Sequence, residues 1–408
     1  MNFTAFLSEN RNFRFLWLSQ LISALGDWIS YVALTLFVID RYSNSVQALA
    51  WITLSKTLAI LFFGPLGGAM ADQHNRKKLM VIADLSRFFL TLLLLFSPPL
   101  WALTLIVFAL NILSCLFTPA YYAIIPELVE EKNLLAANSI NGVTANSVWL
   151  LGTLIGGVMV AAIGYRWAFL FDALSFLLSA LFLAFINYRS QKTAHFSLLM
   201  PFQQTYQGLR EIKKSPPHLI MFAVVFGFFL AGGFYNFVQP LIIRKELGLA
   251  EVYYSYALAL TGGLMILTSF LLGKYGQRVP RPLLVQISVL LGGIAFILLG
   301  WQINWATVVI AAALVGISNS FGGLGMRTFM QEITPNELRG KVFGLIEPII
   351  NSAMAIAAFG GMVVLKGLGY NWPLKLSGIF LILVLFLAIA LNRYNNLQSD
   401  LSQQNISA

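Results

Sequence analysis

Six ionisable side chains stand inside long apolar runs of this sequence: Asp27, Lys56, Asp84, Arg87, Asp172 and Glu347. A charge held away from water costs free energy unless it is paired or faces an aqueous route, so such residues are the first candidates for moving protons or ions. Asp27 lies near the middle of its run, in Ser23-Ala24-Leu25-Gly26-Asp27-Trp28. A carboxylate there can bind and release a proton near neutrality, as a proton-coupled carrier requires; the alternative is a structural carboxylate that holds a neighbouring helix. Glu347 is a second candidate for coupling or gating, with Pro348 behind it, whose missing donor frees a carbonyl and permits a bend. Asp84 and Arg87, spaced i,i+3, read as an ion pair on one helical face or an anchor for the adjacent inner loop. Asp172, with Arg166 at the border of its run, reads as interfacial structure. Lys56 either snorkels outward or faces a cavity, where it meets an anionic substrate or Asp27.

Uncharged polar residues add a weaker signal. Asn111, Asn141, Asn146, Asn236, Gln239 and Asn319 either line an aqueous route or bridge helices, a role worth only ~0.6 to 2 kcal/mol each. The stretch Gly64-Pro-Leu-Gly67-Gly68-Ala-Met-Ala-Asp72-Gln-His-Asn-Arg76-Lys77-Lys78 lacks the G-x-x-x-x-G-K-[ST] form of a phosphate cradle, which argues against coupling to ATP hydrolysis. Its tight turns, its Asp and its three cations describe instead a rigid hairpin that latches one conformational state through Gly68, Asp72, Arg76 and Lys77. Gly152, Gly156 and Gly157 form a small-residue ridge for close helix approach, matched in position by Gly360 and Gly361. Cys115 is the single cysteine, so neither an intrachain disulfide nor a Cys-rich metal site is available; no cofactor is expected.

The elements that must hold these residues follow from composition. Of 408 residues 58% are hydrophobic and only 10% charged, and the mean hydropathy is +0.78. An ordinary soluble domain carries roughly 25% charged residues, so there is too little charge here to cover a water-facing surface. Lipid is the solvent that fits, and nucleic-acid binding and disorder are excluded. Dividing the chain at charges, prolines and polar clusters gives twelve expected spans: 15–39, 46–71, 79–97, 100–122, 134–162, 166–187, 218–243, 252–273, 282–300, 303–326, 341–365 and 371–391. Long continuous runs of this kind are helices, since a barrel strand is short and alternates. The first run is too long for a secretory leader and is expected to remain as a span.

Lys and Arg set the orientation. With the N-terminus inside, the inner segments hold 18 of them, counting Arg327, Arg339 and Lys341 in the penultimate inner segment, and the outer segments hold 6. Both termini are therefore expected in the cytoplasm. The basic connection 189–217, ending in Pro216-Pro217, separates six spans from six, giving expected bundles at 1–188 and 218–408. An internal repeat supports the division: Gly164-Tyr165-Arg166-Trp167 recurs as Gly369-Tyr370-Asn371-Trp372, Gly68 as Gly273 and Glu127 as Glu332, all at an offset of 205. Two parallel six-helix repeats are implied.

The stretches Gly64 to Lys78 and Gln331 to Gly344 resemble the major facilitator superfamily. Gly68, Asp72, Arg76 and Lys77 occupy the Gly, Asp and basic positions of its inner-loop signature, with Asn75 where Gly is common. The cognate loop, Gly273-Lys-Tyr-Gly-Gln277-Arg278, has Gln277 near the acidic position, so a weaker latch is implied there. Asn10 to Trp17, Leu25 to Trp28 and Ala83 to Arg87 resemble the drug:proton antiporter group that contains macrolide efflux pumps and enterobactin exporters, with lysophospholipid carriers as more distant neighbours. That resemblance implies alternating access around a central cavity and proton-driven export of a small hydrophobic or amphipathic substrate, with Asp27 at a recurrent acidic position. A monomer among membrane lipids, in a bacterial inner or plasma membrane, is expected. A lipid or lysolipid flippase, an uncoupled facilitator, and a transport-inactive receptor or scaffold are the alternatives.

Overall fold

The computed structural model describes residues 3–42, 45–188, 210, 215–275, 279–334, 342–343 and 345–407. Most of the connection 189–217, and Gln277, Arg278, Arg339, Lys341 and Gly344, lie outside the described residues. Without water to satisfy the peptide groups, an apolar run must close its hydrogen bonds within itself, and each expected span contains a long helix among the described residues. The twelve spanning helices are α1 (Arg11–Arg41), α2 (Ser45–Gln73), α3 (Arg76–Leu93), α4 (Leu100–Leu128), α5 (Leu134–Ile163), α6 (Tyr165–Ala184), α7 (Pro216–Leu241), α8 (Glu251–Tyr275), α9 (Arg281–Trp301), α10 (Trp305–Ile333), α11 (Ile346–Leu368) and α12 (Asn371–Ser407). A short helix, Phe3–Glu9, precedes them.

Local chemistry sets the ends. The Asn75 side chain accepts the Lys78 amide at 3.0 Å and starts α3. Asn304 and Thr307 form a reciprocal capping box at the start of α10. The turns from α5 to α6 and from α11 to α12 need a left-handed residue, and Gly164 (φ 87°) and Gly369 (φ 60°) provide it. In α7, Pro240 lacks the donor that regular helix demands, and the chain continues as a π-turn at Ile242–Glu246.

The chain divides into two compact units, Met1–Pro201 with Ala250–Ala259, and Phe202–Leu249 with Leu260–Ala408. In the first, α1 packs on α5 and α6, α2 on α4, and α3 on α4 and α6. Its core joins Phe6, Phe13, Leu16, Met80, Phe117, Tyr121 and Ile124. In the second, α7 packs on α11 and α12, and α9 on α10 and α12, repeating the α1–α5, α1–α6, α3–α4 and α3–α6 pairings of the first. The 205-residue offset survives in three dimensions. Arg76 pairs with Glu127, and Arg281 with Glu332 at 3.4 Å, while Gly164 and Gly369 turn the chain at the same offset. Phe62, Phe89, Phe96, Trp101, Phe270, Trp301 and Phe386 point outward, a distribution suited to lipid and not to water.

Candidate functional site

In the first unit, α1, α3 and α6 bring charges together around Arg87. Its guanidinium lies 3.2 Å from Asp84 and 3.8 Å from Asp27, and sits 4.7 Å from the ring centres of both Phe117 and Phe176. Asp84 is fully buried and accepts the Ser179 hydroxyl at 2.5 Å. Asp27 differs: its side chain is 50% exposed, so one carboxylate of the pair is sealed and the other is open. Lys56 on α2 lies over the Tyr31 ring at 5.4 Å and interacts electrostatically with Asp27. Three carboxylates, Asp27, Asp84 and Asp172, thus share their surroundings with two cations, Arg87 and Lys56.

Asp172 is buried within the first unit. It is 3% exposed and packs on the backbone of α1 at Gly26, where a methyl group would come within 2.7 Å of its Oδ1. The absence of a side chain at Gly26 is what lets α6 press this close to Asp27. Asp172, Ser175 and Ser179 form a polar i, i+3, i+7 row on α6, and that row is the sequence signal that identifies the helix as a wall of the site. The Asp84–Arg87 pair is present at the expected i,i+3 spacing, but it extends to Asp27, a link that needs the packing of α1 against α3's neighbours to exist.

In the second unit, a cavity of about 630 Å³ is lined by α7, α9, α10, α11 and Leu381 of α12. Phe228, Phe229, Tyr235, Phe296, Met326 and Met354 form its apolar wall, and Asn236, Asn319, Arg327 and Glu347 are its polar groups. Asn351 donates to the main-chain oxygen of Glu347 at 2.9 Å and reaches its carboxylate at 3.5 Å. Arg327 lies within α10, because the helix runs past the expected end at residue 326 to Ile333. Gln239 is buried, donates to the Tyr235 hydroxyl at 2.7 Å and is not part of this lining. In the first unit Asn111 donates to its own helix at Val107, 2.7 Å away, and Asn146 is exposed.

The hairpin between α2 and α3 is held by Arg76, which pairs with Asp72 at 3.6 Å and with Glu127, and donates to the carbonyls of Ala71 and Ala123. Lys77 donates to the carbonyls of Ala184 and Ile186 at the end of α6. Gly68 faces open space, whereas Gly67 is pressed on the backbone of Cys115 in α4.

Comparison with known proteins places this geometry. The model of the Major Facilitator Superfamily matches residues 16–358 and 221–400. The chain belongs to the Major Facilitator Superfamily. Macrolide efflux protein A of Streptococcus pyogenes is 24% identical over 397 residues, 94% of this chain and 96% of that protein. The enterobactin exporter EntS of Escherichia coli O1:K1 / APEC is 27% identical over 403 residues, 93% of each. The crystal structure of the POT family transporter PepTSo superposes with a TM-score of 0.75 at 11% identity, covering 95% of this chain and 99% of that one, a likeness of fold alone. Membership makes the chain a multi-pass membrane transporter that works by alternating access, and not an enzyme.

Proposed function

We propose that the protein exports small hydrophobic or amphipathic molecules in exchange for protons, and that Asp27 carries the proton. The observation behind this reading is the asymmetry around Arg87: its bond to buried Asp84 is close, and its link to half-exposed Asp27 is longer and open to solvent. Three carboxylates facing two cations leave the cluster one negative charge in excess, which one proton neutralises. A proton on Asp27 removes its attraction for Arg87 and Lys56 while leaving the Asp84–Arg87 pair intact. That step changes the charge at one face of the first unit and biases which state of an alternating-access cycle is stable. The similarity of the chain to a macrolide efflux protein and an enterobactin exporter supports the export direction and a cargo with apolar parts. The excess of Lys and Arg in alternate segments supports cytoplasmic termini in a bacterial cell membrane. In this reading the bundles 1–188 and 218–408 rock against one another as the two states exchange.

Everted vesicles with an imposed inward-acid pH gradient test the proposal, with uptake of a hydrophobic fluorescent dye as the readout. The parent is expected to accumulate dye only with the gradient, and Asp27→Asn to lose at least tenfold of that rate. Equal uptake with and without the gradient, unchanged in the variant, would instead support an uncoupled facilitator.

A further inference from the structure

The cavity of the second unit combines three kinds of lining that together specify more than hydrophobicity. Aromatic and Met side chains give an adaptable apolar wall, because thioethers repack around different shapes. Its volume of about 630 Å³ lies within the range of small-molecule sites, roughly 300–1,000 Å³. Two charges of opposite sign, Arg327 on α10 and Glu347 on α11, face into it, and among the described residues neither has an ion-pair partner. Both are exposed to the cavity space and are not folded into protein. A charge beside an apolar wall is costly when water is displaced, so an occupant that excludes water must satisfy both. A neutral hydrocarbon satisfies neither. A lipophilic cation pairs with Glu347 but leaves Arg327 unmatched, and a simple anion pairs with Arg327 but leaves Glu347 unmatched.

We propose that this cavity takes zwitterionic amphipaths: an apolar or aromatic body against Phe228, Phe296 and Met326, an acidic group on Arg327 and a basic group beside Glu347. The assignment rests on the transport reading above and names its cargo class. Arg327 is suited to its part because a guanidinium keeps its charge and meets a carboxylate, sulfonate or phosphate with two parallel N–H groups. Glu347 stands in the first turn of α11, where the helix dipole favours negative charge, and Asn351 steadies it from the next turn. Asn236 and Asn319 add neutral hydrogen-bonding groups to the same wall.

Three probes with one fluorophore separate the contributions: Nε-dansyl-lysine carries both charges, dansylcadaverine only the amine, and N-dansyl-6-aminohexanoate only the carboxylate. Binding to the purified protein in nanodiscs, without any gradient, is read from dansyl emission. The zwitterion is expected to bind at least tenfold more tightly than either partner, the size of one charge-assisted contact. Arg327→Gln is expected to reduce its affinity to that of dansylcadaverine, and Glu347→Gln to that of the carboxylate probe. Arg327→Lys, which keeps the charge, is expected to recover part of the loss and so distinguish a lost contact from a lost fold. Equal affinity for all three probes, tighter binding of the cation, absence of binding, or indifference to Arg327→Gln would each overturn the assignment. Because no gradient is present, zwitterion-selective binding together with gradient-independent uptake would refute proton exchange alone. Gradient-driven dye uptake without zwitterion preference would refute this cavity's assignment alone.

Discussion

Arg87 is the side chain on which the charge cluster turns, and its surroundings predict what a conservative change does. The guanidinium is flanked by the rings of Phe117 and Phe176 while its nitrogens reach two carboxylates, an arrangement that needs a flat, forked cation. Lysine keeps the charge but has neither plane nor fork. Arg87→Lys is therefore expected to lower gradient-driven transport at least tenfold while the protein still folds and elutes as a single species; transport within twofold of the parent would show that charge alone suffices. At this scale the sequence reveals the candidates but not their partners. Asp27 stands out because a mid-span carboxylate is rare, and Asp84–Arg87 because i,i+3 is a helical neighbour spacing. The link from Asp27 to Arg87 joins positions 60 residues apart and depends on how helices pack, which no local spacing encodes. Asp172 is concealed for a related reason: counting inward from the span border does not tell which face of α6 meets Gly26.

Helix pairs are positioned by glycines whose roles differ even when they are adjacent. A methyl group on Gly67 would overlap the Cys115 carbonyl, so α2 and α4 touch backbone to backbone there; one on Gly68 meets nothing within 4 Å. Gly67→Ala is expected to destabilise the protein by about 1–3 kcal/mol, the usual cost of overpacking. Gly68→Ala is expected to leave stability unchanged or slightly higher, since Ala is the better helix former by about 1 kcal/mol. Thermal unfolding in detergent distinguishes the two, and an equal loss from both would contradict the packing described. The twelve helices were legible as runs bounded by charge, Pro or Gly, and most of their ends fall within a few residues of the expected limits. The larger discrepancies are C-terminal ends: α12 continues past residue 391 to Ser407, α10 past 326 to Ile333 and α4 past 122 to Leu128. A polar stretch ends an apolar run without ending the helix, and Arg327 consequently belongs to the cavity wall.

For the whole molecule, the 205-residue repeat is the organising fact, and the two copies have diverged in strength. Arg76 pairs with Glu127 and Asp72 and donates to the carbonyls of Ala71 and Ala123 from a mostly buried position, whereas Arg281 meets Glu332 at 3.4 Å and donates to the Val279 carbonyl at 3.2 Å from a more exposed one. Exposed pairs are worth about 0–1 kcal/mol, so Arg281→Gln is expected to lower the unfolding temperature less than Arg76→Gln; the reverse order would contradict this account. The central claim, that cargo leaves as protons enter, is tested most directly by running the cycle on cargo alone. Proteoliposomes loaded with pyranine receive a cargo gradient with equal pH on both sides, and lumenal pH is followed. Cargo movement in one direction is expected to drive protons in the other, and Asp27→Asn is expected to abolish the proton signal; cargo flux of parental size with no change in lumenal pH would contradict the account.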